Sequence, residues 1–128
     1  MKIEELFPEA DPGVIPFGSR LVVQIRSVPE KTQSGIWLGA QTKEAEKWNT
    51  QVAKVISLGP VAFRDRKSLE PWPEGNWAEV GDFVRVPAFG GDKIEVVVGD
   101  RKILFVIFED TDIVAKITGD PTKGSATF

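Results

Sequence analysis

At 128 residues, 41% hydrophobic and 27% charged, the chain can bury a core, is short for two ordinary domains, and lacks the composition of a disordered segment. A net charge of -3 provides no basic excess to neutralise phosphates, which argues against a nucleic acid partner. Cysteine and histidine are both absent, so disulfides, thiolate or imidazole metal sites and the commonest general base are excluded; neither a cofactor nor an enzymatic role is expected.

Residues 1–15 hold Pro8, Pro12 and Gly13 among acidic positions, which predicts an extended N-terminal arm outside the core. This segment has no signal-peptide run, and no later stretch nears the roughly 20 apolar residues that span a bilayer, so no membrane partner and a cytoplasmic location are expected. Arg20 to Arg26 alternates Leu21, Val23 and Ile25 with Val22, Gln24 and Arg26, the pattern of a strand buried on one face.

Residues 27–50 read as a long loop, polar and charged apart from the apolar island Ile36-Trp37-Leu38 that follows Gly35. An apolar island in a polar loop must be covered by something, and tryptophan is enriched among interface anchors. Gly35, Ile36, Trp37 and Leu38 are therefore the candidate partner-binding residues; the opposing expectation is that the island folds back onto its own barrel.

Gln51 to Leu58 has strand composition and stops at Gly59-Pro60. Residues 61–79 follow no clean period and form an irregular excursion. Its Trp72 and Trp77 are candidate assembly contacts or, equally, a small cluster covering one barrel end. Val80-Gly81-Asp82 turns into a strand at Phe83–Pro87, and residues 93–98 and 102–107 form a hairpin about Gly99-Asp100. Glu109, Asp110 and Asp112 read as a solvated turn before a closing strand at 113–117, and residues 118–128 as a tail. About six short strands separated by turn signals indicate an all-β fold.

Residues 16–117 resemble the GroES-like small co-chaperonin family in the order of their pieces. Pro16 followed by Arg20 is similar to the family's opening, and Ser34-Gly35-Ile36-Trp37-Leu38 sits where the family has its mobile loop. Val52 to Pro60, Val80-Gly81-Asp82-Phe83-Val84 and Glu109 to Ile117 resemble its later strands. Trp37 stands where a small aliphatic residue is usual, and the arm, excursion and tail have no counterpart in an ordinary bacterial member, so the chain looks like a divergent or phage-encoded relative.

The resemblance implies a partly open small β-barrel that forms a homo-oligomer, binds an ATP-dependent chaperonin through its loop and caps the folding chamber. The alternative is a virion decoration or cement subunit on the same barrel, with the major capsid protein as partner.

Overall fold

Val, Ile, Leu and Phe dominate the segments that become strands, as expected for residues that pack on a pleated, half-buried surface. The computed structural model describes residues 3–27, 51–87, 90–99 and 101–121. A short helix, α1 (Ile3–Leu6), precedes β1 (Arg20–Ile25), β2 (Val52–Leu58), β3 (Phe83–Arg85), β4 (Asp92–Val98), β5 (Arg101–Glu109), a 3-10 turn at Asp110–Asp112 and β6 (Ala115–Lys116). The strands form one antiparallel sheet in the order β4-β5-β1-β2-β3-β6, with β4 and β6 at its edges. The fold is all-β, as expected for an open barrel of the GroES type.

The sheet encloses a core of Leu21, Val23 and Ile25 from β1, Ala53 and Val55 from β2, Val84 from β3, and Val106 and Phe108 from β5. Between Val22 and Val23 the β1–β2 register shifts, since Val22 faces Ser57 and Val23 faces Val55. The extra residue is Ile56; such a bulge bends the strand and increases its twist.

Two expectations are corrected by the packing. β1 is buried on both faces: Val22 joins Ile103 and Phe105 in a second cluster, and Gln24 and Arg26 are buried as well. The arm is also part of the packed structure, because Leu6 and Phe7 are 2% and 4% exposed and form a third cluster with Val52, Phe83 and Ile117. Burying these two side chains contributes roughly 1.5–3 kcal/mol apiece. Gln24 Nε2 donates to the Pro8 carbonyl at 2.7 Å and an Arg26 guanidinium nitrogen to the Pro121 carbonyl at 3.3 Å, so the outer face of β1 is roofed by chain from both ends.

The turn at 109–112 is corrected too. Glu109 and Asp112 cap one another reciprocally, but Asp110 is buried instead of solvated, its Oδ2 accepting the Phe63 amide at 2.9 Å. Gly90 and Gly91 both have positive φ, and a Cβ on Gly91 would run into the Val106 side chain.

Candidate partner-binding site

The root of the 27–50 loop is built by the β1–β2 ladder. Ile25 pairs with Ala53, the Arg26 amide donates to the Val52 carbonyl at 2.8 Å, and the Val86 amide holds the Gln51 carbonyl at 3.0 Å. The two ends of the loop therefore leave the barrel side by side. Burial, followed by the nearby Arg85 charge, lowers the Arg26 pKa from its ordinary value. Gly35, Ile36, Trp37 and Leu38 lie outside the described residues.

The excursion is an ordered unit. Asp65 Oδ1 accepts the amides of Lys67 and Ser68 at 2.8 and 3.0 Å, its own amide donates to the Glu70 carbonyl, and Arg64 bridges to Pro71. Those two amides, Ser68 foremost, hold the Asp65 carboxyl below its ordinary pKa. Arg66 reaches back to the barrel, donating to Ser19 Oγ at 2.6 Å and to Glu109 Oε2 at 3.0 Å, while Arg20 pairs with Glu109 Oε1 at 3.2 Å.

Trp72 and Trp77 are half-buried beside Phe63, with ring centroids 5.7 and 6.0 Å from it and 4.8 Å from each other. Both pack, partly buried, against the main core. Phe63 itself is fully buried at φ 61°, a left-handed conformation uncommon for a bulky residue.

The Val80-Gly81-Asp82 motif works as a clasp. Gly81 has φ 95°, its amide and the Asp82 carbonyl both bond Val55, and Asp82 Oδ2 accepts the Glu79 amide at 2.9 Å and pairs with Lys116 Nζ at 3.3 Å. The Glu79 amide first, and Lys116 after it, lower the Asp82 pKa. Among the described residues no group of three or more acidic side chains is placed to hold a metal ion, and no helix is long and apolar enough to cross a membrane.

Residues 13–117, from just before β1 to just past β6, match the family model described as the Chaperonin 10 Kd subunit. The chain belongs to this family. It is 36% identical over 108 residues to the mitochondrial 10 kDa heat shock protein of Saccharomyces cerevisiae, covering 84% of this chain and 92% of that one. It is 33% identical over 103 residues to the co-chaperonin GroES of Syntrophomonas wolfei, covering 80% and 95%. With the co-chaperonin GroES of Clostridium botulinum it shares 31% over 107 residues, 84% and 99% of the two chains. The two bacterial relatives are co-chaperonins by name, and as a member of this family the chain is no enzyme.

The sequence singled out the loop, the Val-Gly-Asp clasp and the two tryptophans, but missed Arg101. Its guanidinium joins the arm to the loop root through backbone carbonyls 96 and 74 residues away. No local pattern announces contacts of that span.

Proposed function

We propose that the chain is a ring-forming co-chaperonin that docks on an ATP-dependent chaperonin through the 27–50 loop, with Ile36, Trp37 and Leu38 as the apolar anchor, and caps its folding chamber. The observation that carries this reading is a family match whose bounds, residues 13–117, include a loop whose two ends, at Ser27 and Gln51, emerge together from adjacent strands. The partner hydrolyses ATP; this chain contributes only binding. Each loop pays conformational entropy on docking and so binds weakly, and several loops on one ring multiply the affinity through effective concentration.

Assembly with further copies is supported by apolar side chains in the open: Ile15 is 82% exposed, Phe17 79% and Val114 68%. Among the described residues the outer edges of β4 and β6 pair with no further strand, and a neighbour can cover them. The place of action in this reading is the cytoplasm.

The test is co-sedimentation of the purified chain with a chaperonin in the presence and absence of ATP, followed by recovery of a chaperonin-dependent substrate. Nucleotide-dependent binding that raises the folded yield is expected. Absence of binding, together with incorporation into a capsid lattice, would overturn the reading in favour of a virion subunit.

A further inference from the structure

Three segments remote in sequence converge beside the loop root. One terminal nitrogen of Arg101, at the start of β5, donates to the Glu5 carbonyl of α1 at 2.6 Å. The other donates to the carbonyl and hydroxyl oxygens of Ser27 at 3.0 and 3.2 Å. The Ser27 amide in turn donates to the Leu6 carbonyl at 3.0 Å, closing the circuit between arm and loop root without passing through Arg101. Leu6 and Phe7 seat the arm in its apolar cluster, so the carbonyls it offers are fixed in place.

We propose that Arg101 is a positioning residue that ties the N-terminal arm to the root of the 27–50 loop, so that the arm sets the direction in which the chain leaves the barrel at Ser27. The family match begins at residue 13, so residues 3–8 lie outside it, and the Leu6 carbonyl among them holds the amide of Ser27, one of the two residues where the loop departs. A guanidinium suits this task because its planar fork serves two acceptors at once with a fixed angle between them, whereas a lysine ammonium is a single flexible point. Nothing in the bonds of β1 with β2 or β5 depends on the fork, since the ladder ends before Ser27. The consequence for partner binding rests on the proposed role of the loop: a pre-directed root leaves less freedom to be lost on docking.

The test uses full-length protein and amide hydrogen exchange at Ser27. Arg101→Ala is expected to speed exchange there by about tenfold or more, while Val23 and Val106 in the ladder keep their protection. A second variant, Leu6→Ala with Phe7→Ala, unseats the arm and is expected to give the same acceleration. Combining it with Arg101→Ala should add little, because both act on one unit. Arg101→Lys, which keeps the charge but not the fork, should restore protection only in part. Unchanged exchange at Ser27 in Arg101→Ala, full rescue by lysine, or plain additivity of the two variants would each overturn the proposal. Binding is read separately. Failure of the unaltered chain to bind any chaperonin sinks the loop's role and leaves the tie to be judged by exchange alone. Unaltered affinity in Arg101→Ala despite fast Ser27 exchange would overturn the coupling to binding.

Discussion

Asp110 accepts the Phe63 amide at 2.9 Å, and both residues are buried. This bond ties the turn after β5 to the start of the excursion, and it supplies an acceptor for the buried amide of a residue in the left-handed region. Asp110→Ala would leave that amide orphaned, at a cost of about 1–3 kcal/mol. A lower melting temperature with altered tryptophan fluorescence, because Trp72 and Trp77 rest on Phe63, is the expected outcome. An unshifted melt would show that water replaces the carboxylate at no cost.

Trp37→Ala separates anchor from core. Binding to the partner should weaken by at least about 2 kcal/mol, as for other buried aromatic anchors. The melting temperature should barely move. Val55→Ala is the control, since Val55 is fully buried in the main core and its truncation should cost roughly 2 kcal/mol of stability. Calorimetry and a binding titration on the two variants give the comparison; stability loss in Trp37→Ala with unchanged binding would place the side chain against its own barrel.

The Asp82 clasp should show in acid. Its folded pKa lies below the ordinary 3.8, so the charged form stabilises the fold at neutral pH, and that contribution fades as pH falls through the depressed value. Asp82→Asn keeps an oxygen for the Glu79 amide but loses the charge facing Lys116. The stability gap between the two proteins should therefore be full at pH 7, begin to close below about pH 4, and vanish at more acid pH. Denaturant melts across that range read it directly. A gap that persisted in acid would assign the effect to shape instead of charge.

Phe17→Glu addresses assembly. The side chain is 79% exposed, so a charge there should leave the barrel folded. Sedimentation should give a multiple of 14.1 kDa for the unaltered chain and a larger monomer fraction for the variant. Equal masses for both would remove Phe17 from the interface.

The strand segments and the Val-Gly-Asp turn were legible because each is a local pattern: alternation, and a glycine-bearing turn that feeds an apolar run. What was illegible depends on partners far along the chain. Gln24 and Arg26 read as the wet face of β1, yet their acceptors are carbonyls of Pro8 and Pro121, which alternation cannot foresee. Asp110 read as solvated for the same reason, its donor lying 47 residues earlier. Trp72 and Trp77 were ambiguous because a Pro- and Gly-rich segment has no period; Phe63, the side chain that gathers them, is held in a conformation its residue type disfavours.

The extra residue in β2 constrains length more than chemistry. Val55 and Leu58 both face the main core although they are three apart, while Ile56 points to the cluster on the opposite side. Strict alternation cannot do this; the bulge resets the count. Deleting Ile56 would remove the bulge and leave Val55 and Leu58 in regular alternation, whereas a one-residue deletion among Val52, Ala53 and Lys54 would turn one half of the strand inside out. The 61–79 segment, outside the ladder, carries no such parity rule. Insertions and losses in descendants of this gene should therefore accumulate in the excursion and stop abruptly at Leu58.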